Sequence, residues 1–152
     1  MTCVYIILER MKVKVRRIDK SLPLPSYGTG GSAGLDCFVR EATIIPPGEL
    51  AYIPLNICVQ PPKNHFVLIA ARSSLPKRGL FLANGIGIGD EDYSGDEDEY
   101  KAQVYNYTDK PVTIEKGERI IQLIFLPYDK VEWNEVESLG NNNRGGFGTT
   151  GR

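Results

Sequence analysis

Gly117-Glu118-Arg119-Ile120-Ile121-Gln122-Leu123-Ile124-Phe125 is a nearly continuous apolar run with one amide set inside it. Such a run reads as a strand buried in the protein. An amide there needs a hydrogen-bond partner. Gln122 is therefore either a satisfied core or interface amide or a ligand contact, and the residues alone leave the two readings even.

Outward from this strand, similar runs recur every ten residues or so, at 12–18, 35–39, 50–53, 56–60, 65–70, 79–83, 101–107, 112–114, 119–126 and 131–136. Turn chemistry separates them: Pro23-x-Pro25, Gly28-Thr29-Gly30-Gly31, Pro46-Pro47-Gly48, Pro61-Pro62 and Glu115-Lys116-Gly117. No long stretch keeps a helical period. The best helix candidate is one short turn from Ser73 to Arg78, limited by Pro76. The pattern predicts an all-β sandwich, jelly roll or barrel. No repeat or linker divides it. From Gly140 onward the chain is Gly, Asn, Arg and Thr with a single Phe, too poor to build a core, so a tail over 140–152 should be mobile until something orders it.

At 152 residues the chain suits one domain with a real core. Its 18 basic and 19 acidic residues nearly cancel, which argues against nucleic-acid or membrane partners. Cys3, Cys37 and Cys58 include no C-x-x-C pair, and one is left over from any disulfide. Free thiols in a reducing compartment follow, and a cytoplasmic location is expected, with a nuclear or virus-encoded setting left open. His65 is the only histidine and reads as a half-exposed structural residue at a strand entrance. Val4 to Leu8 is too short to span a bilayer and lacks the flanks of a signal peptide. Residues 1–10 read as an upstream extension, with Met11 a candidate start. Lys12, Lys14 and Arg16 alternate with valines, which fits the wet face of a strand better than a nucleic-acid patch.

Four stretches could carry chemistry. In the tail, Arg144-Gly145-Gly146-Phe147-Gly148-Thr149-Thr150-Gly151, glycines allow a close approach to an anion, and Arg144 can grip phosphate through two bonds. Phe147 could stack on a planar base. Composition alone would suit a solubilising terminus, but the lone Phe framed by Gly, Arg and Thr favours a ligand. In Ala71-Arg72-Ser73-Ser74, two hydroxyls follow a strand and could form an anion site at a helix start, or simply cap it.

The third stretch is Asn84-Gly85-Ile86-Gly87-Ile88-Gly89-Asp90-Glu91-Asp92-Tyr93. Asn84-Gly85 is a hairpin signal. Gly85, Gly87 and Gly89 would leave one strand face bare for a flat ligand, and Asp90 is a candidate general base. Asp90-x-Asp92-x-Ser94-Gly95 also matches the first half of a calcium loop, but Glu97 and Lys101 fail the second half. Asp96 to Glu99 then reads as a solvated, self-repelling hairpin tip. The fourth stretch is the Gln122 strand.

Together with Ala33-Gly34-Leu35-Asp36, these stretches resemble, in order and spacing, the five motifs of the trimeric dUTP pyrophosphatase (dUTPase) family. The resemblance runs from Met11 onward. It implies an all-β, distorted jelly-roll β-clip over 11–139, a flexible lid over 140–152, and a homotrimer with shared sites. It implies hydrolysis of dUTP to dUMP and pyrophosphate by water attack at the α-phosphorus, which limits uracil in DNA and supplies dUMP for dTMP synthesis. Asp90 would be the general base. Arg72, Ser73, Ser74 and Gln122 would hold the triphosphate, and Mg²⁺ would be held mainly by phosphate oxygens with Asp36 as an outer-shell carboxylate. Asn84, Gly87 and Ile88 would read uracil, Tyr93 would pack on deoxyribose, and Lys101 would lie on the returning strand. Arg144, Phe147, Gly148 and Thr149 would close the site from another subunit, and strands such as 131–136 around Trp133 would be subunit contact.

Departures from the family pattern are Gly89 in place of an aliphatic residue, Ser74 in place of glycine, Thr149 in place of serine, and a three-residue insertion at Asp96–Asp98. The sister dCTP deaminases share Arg-Ser-Ser-Leu but need a glutamate where this chain has Gln103, which cannot shuttle a proton. A non-catalytic jelly-roll module or regulator is the other alternative; Asp90 together with a whole tail motif argues against it.

Overall fold

The computed structural model describes residues 11–147. Residues 1–10 and 148–152, which include Gly148 and Thr149 of the expected lid, lie outside the described residues.

The described chain is built of strands: β1 (Lys14–Arg17), β2 (Ser26–Tyr27), β3 (Leu35–Cys37), β4 (Thr43–Ile45), β5 (Leu50–Pro54), β6 (Ile57–Gln60), β7 (His65–Ala71), β8 (Leu80–Leu82), β9 (Gly87–Gly89), β10 (Lys101–Asn106), β11 (Val112–Ile114) and β12 (Ile121–Pro127). They form a five-stranded sheet in the order β2-β3-β12-β7-β9, a three-stranded sheet β5-β10-β8, and two ribbons, β1-β6 and β11-β4. β12 is the apolar run that marks the fold in the sequence. It is nearly continuous because β12 is central, pairing antiparallel with β3 on one side and β7 on the other. β10 shows the other pattern. Ala102, Val104 and Asn106 point inward, while Lys101, Gln103 and Tyr105 point outward.

The core lies between these sheets, around Cys37, Val39, Ile53, Leu55, Val67, Leu80, Val104, Ile114 and Ile121, all fully buried. Asn106 is a fully buried polar residue and is satisfied: its side-chain N–H groups donate to the carbonyls of Ile45, Pro46 and Lys110.

Three sequence expectations change here. Residues 131–136 form no strand, and Val131, Trp133 and Val136 stand exposed at 71, 90 and 51 %; an extended segment needs a sheet edge to pair with, and among the described residues this one finds none. The helix is only a 3₁₀ turn, Pro76–Arg78. It is capped by Leu75 without a side-chain bond and ended by Gly79 at φ 76°, so neither Ser73 nor Ser74 caps it. The acidic tip is not wholly solvated. Glu99 is 7 % exposed. It accepts two bonds from the Arg40 guanidinium, at 2.8 and 2.9 Å, and one from the Asn56 N–H at 3.0 Å. The pair raises Arg40 above its ordinary value, chiefly through the hydrogen bond it donates to Glu99. The turn is tied down again where the Asp96 carbonyl accepts from Arg16 and from the Cys58 thiol.

Candidate active site

At one end of the five-stranded sheet, Asp36 on β3, Gln122 on β12 and Arg72, just past β7, come together. Asp36 faces Gln122 in register. The chain leaves β7 at Ala71, and the Arg72 N–H bonds the Ile120 carbonyl, which fixes the arginine at the sheet end. Asp36, 6 % exposed, meets the Arg72 Nε at 3.0 Å and an Arg119 guanidinium N at 3.4 Å. One buried carboxylate thus holds two cations, one of them half-exposed. The Gln122 amide donates to the Ala71 carbonyl at 3.2 Å, so the half-buried amide has its partner. Gly34 makes room for it: a Cβ at residue 34 would lie 2.5 Å from Gln122 Oε1 and 2.9 Å from its Cβ. Ser73 and Ser74 are exposed in the turn that follows, closed by the Leu75 N–H on the Arg72 carbonyl. Guanidinium, amide and two free-facing hydroxyls at one place suit an anion such as phosphate.

Asp90 lies elsewhere. β9 pairs with β7 with Gly89 opposite Val67, which brings Asp90 level with Phe66. Asp90 is exposed in a cleft of about 570 Å³ lined also by Phe66, Ile88, Glu91, Asp92, Tyr128 and Lys130. Glu91 clamps this end. It accepts from the Asn64 N–H at 2.8 Å and the Tyr128 hydroxyl at 3.1 Å. Those bonds, the Asn64 one foremost, hold its carboxyl below the ordinary range. Tyr93 is half-exposed, with its hydroxyl donating to the Glu99 carbonyl at 3.2 Å. Lys101 is exposed at the start of β10, and Asn84 is exposed in the hairpin before β9.

The glycines of β9 do not offer a bare face to a flat ligand, as the sequence suggests. That face belongs to the core. A Cβ on Gly87 would lie 3.0 Å from Ile69 Cβ, and one on Gly89 would overlap the Tyr100 hydroxyl. What β9 presents is its edge. It is the last strand of its sheet, so the backbone groups that do not pair with β7 face outward, as does Ile88.

Arg72 and Asp90 therefore stand at opposite ends of β7. The six residue steps from Phe66 to Arg72 span roughly 20 Å of strand at about 3.3 Å each. In the tail, Arg144 and Phe147 are exposed and reach neither group. His65 contacts the Lys63 carbonyl at 3.0 Å in a purely local arrangement.

Sequence reasoning missed Arg119, Glu99 and Tyr100. Arg119 is the second cation on Asp36 and stands within the quoted strand motif, so its charge was the available signal. Glu99 and Tyr100 carried no local signal. Their roles come from long-range packing against Arg40 and Gly89.

Comparison with known proteins gives this geometry a family. The sequence profile of the dUTPase family matches residues 20–151. The deoxyuridine 5'-triphosphate nucleotidohydrolase of Dictyoglomus turgidum is 40% identical over 148 residues, covering 93% of this chain and 99% of that protein. The protein of the same name from Hydrogenobaculum sp. is 40% identical over 145 residues, with the same coverage. Among solved structures, the dUTPase of Streptococcus mutans superposes with a TM-score of 0.72 at 31% identity, over 78% of this chain and 98% of that one. The Staphylococcus bacteriophage 80alpha dUTPase with dUPNHPP superposes at 0.81 with 25% identity, over 93% and 99%. With its all-β fold, its motifs in order and a profile match over most of its length, this chain belongs to the dUTPase family.

Proposed function

We infer that this chain hydrolyses dUTP to dUMP and pyrophosphate, acting as a dUTP diphosphatase. The observation that carries the site assignment is the separation of Arg72 and Asp90 along β7. Arg72 is held by Asp36, and a strand's length lies between it and the candidate base. The two cannot meet one α-phosphate within a single chain. A homotrimer in which one subunit brings Asp36, Arg72, Ser73, Ser74 and Gln122, and another brings the Asp90 hairpin, resolves this. The exposed apolar arm from Val131 to Leu139 supports assembly, because a stable monomer gains nothing from showing Trp133 to water.

In that site Asp90 takes a proton from water as the water oxygen bonds the α-phosphorus. The bond from the α-phosphorus to the bridging oxygen breaks, and pyrophosphate leaves with the electron pair. General-base help is typically worth ~10²–10⁴-fold, and oriented donors on the phosphates supply the rest. Arg72, Ser73, Ser74 and Gln122 hold the triphosphate. The open edge of β9 at Gly87 and Ile88, with Asn84, reads the base as a neighbouring strand would be read. Tyr93 lies under the sugar, where a 2′-hydroxyl has no room, and Lys101 flanks the hairpin. Arg144, Phe147, Gly148 and Thr149 close over phosphates and base from the tail.

The family is metal-dependent in general, and we assign Mg²⁺. Among the described residues no group of three acidic, histidine or cysteine side chains could hold an ion by itself. The residues present fit an ion held by triphosphate oxygens and water, with Asp36 beyond them. When bound, it neutralises charge on the phosphates. No described helix is long and apolar enough to cross a membrane. The free thiols Cys37 and Cys58 support a cytoplasmic setting.

Mixing two dead variants tests the shared site. Arg72→Ala and Asp90→Asn should each lose turnover. Dissociated and reassembled together, mixed trimers each regain one whole site, and on the order of a quarter of wild-type activity should return. No recovery in verified mixed trimers would mean that each chain builds its own site.

A further inference from the structure

Tyr100 is a buried side chain, 2 % exposed, whose hydroxyl has no hydrogen-bond partner among the described residues. Its ring stacks on Tyr93, centroids 5.8 Å apart and planes at 24°. Its hydroxyl end occupies the space that a side chain at residue 89 would take: a Cβ on Gly89 would lie 2.7 Å from Tyr100 Cζ. Glycine at 89 is thus the complement of tyrosine at 100. The hydroxyl ends one residue from Asp90.

Packing alone asks only for phenylalanine here, since burying an unpartnered hydroxyl is unfavourable. The polar groups facing it are few. The titratable groups close enough to act on it through space are Asp90 after β9, Tyr93 from the turn, Cys37 on β3 and Cys58 on β6. Burial pushes both thiols up and keeps them protonated. Cys58 already donates to the Asp96 carbonyl, and the Tyr93 hydroxyl to Glu99. The nearby turn carboxylates are also engaged: Glu99 by Arg40 and Asn56, and Asp98 by the Gly95 N–H. The acceptor left uncommitted is the Asp90 carboxylate.

We propose that Tyr100 is a positioning residue for hydrolysis: in the substrate-bound site its hydroxyl donates to the Asp90 carboxylate, while its ring sets the height of Tyr93 beneath the sugar. The proposal rests on Asp90 being the base. Hydrogen bonds of this kind often tighten only when substrate is bound. A hydrogen bond donated to a carboxylate favours its charged form, so losing the donor should move the acid limb of kcat upward.

The test is Tyr100→Phe in the full-length protein, with kcat and KM for dUTP measured across pH and Tm alongside. The expected result is a kcat lower by about tenfold, the scale of a lost bond to a charged group. KM stays nearly unchanged, because the ring under Tyr93 remains, and the acid limb of kcat moves upward. Gly89→Ala, which crowds both the hydroxyl and the ring, should lower kcat in the same way and raise KM as well. Tyr100→Leu, which removes the ring too, should also raise KM and weaken the preference for dUTP over UTP. If Tyr100→Phe is more stable than wild type with the same kcat and acid limb, the hydroxyl is filler and the proposal is wrong. Asp90→Asn in parallel separates the two ideas. Full turnover there sinks both, whereas a dead Asp90→Asn beside an unaffected Tyr100→Phe sinks only the role of Tyr100.

Discussion

Asp36 and Arg72 meet at the end of the five-stranded sheet, Oδ1 to Nε at 3.0 Å, with the carboxylate buried and the guanidinium still a third exposed. The aspartate fixes the arginine's direction, and the arginine keeps donors for something else. Asp36→Asn should therefore raise the KM for dUTP and lower kcat/KM by roughly tenfold or more, the loss of one oriented charge-assisted bond. Arg72 and Arg119 can turn to water, so the fall in Tm should be modest. Steady-state kinetics beside thermal melts separate the two effects.

Gln122 depends on Gly34 for space. Gly34→Ala places a methyl against the Gln122 side chain and should cost on the order of 1–3 kcal/mol through overpacking. It should also displace the amide from the site. Combining it with Gln122→Ala, which relieves the clash, should recover stability but not activity. Denaturant titration of the single and double variants checks this.

The Arg40–Glu99 pair locks the acidic turn beneath the Asp90 hairpin. Arg40→Leu strands a buried carboxylate and should cost about 3 kcal/mol. The double variant with Glu99→Gln should be less damaged than the two single losses added together. Unfolding curves for all four proteins measure that coupling.

Acid should also lower stability. Glu91 and Asp19 both lie below the ordinary carboxylate range. The Asn64 N–H is the main cause for Glu91, and the Lys116 ammonium for Asp19. A depressed folded-state value means that the stabilisation is present above the unfolded value of about 4 and is lost as pH falls through the folded one. Tm should fall below pH ~4, and Glu91→Gln should flatten part of that fall. Both groups are exposed, so the effect is small and best read as a difference between wild type and variant.

Deleting residues 140–152 should cut kcat/KM severely while leaving Tm nearly unchanged. Arg144 and Phe147 make no core contact, and no described strand lies beyond Pro127. Melts and kinetics on the truncated chain decide it; a truncated protein with a lowered Tm and an unchanged kcat/KM would refute the lid.

Most strands were legible because their signals are local. β12 showed its central place in unbroken hydrophobicity, and β10 its two faces in alternation. β2 and β4 were not seen, being only two and three residues long. The arm at 131–136 looked like a strand by composition, yet pairing is a property of two segments, and among the described residues no strand pairs with it. The Arg72 group was legible as a motif, and the register of β3, β12 and β7 then brings its members together. The β9 glycines misled for a related reason. A missing side chain shows in sequence, but the side chain filling its place, Tyr100 eleven residues later, does not. Glu99 looked solvated in its acidic run because Arg40, its partner, lies 59 residues away.

The length of β7 has a consequence for the cell. If a chain carries phosphate grip and base at ends that cannot cooperate, a newly made or diluted subunit is silent. Specific activity then depends on protein concentration and falls away below the point where trimers come apart. In the proposed trimer, quantity of assembled protein, more than quantity of protein, would set how fast dUTP is removed.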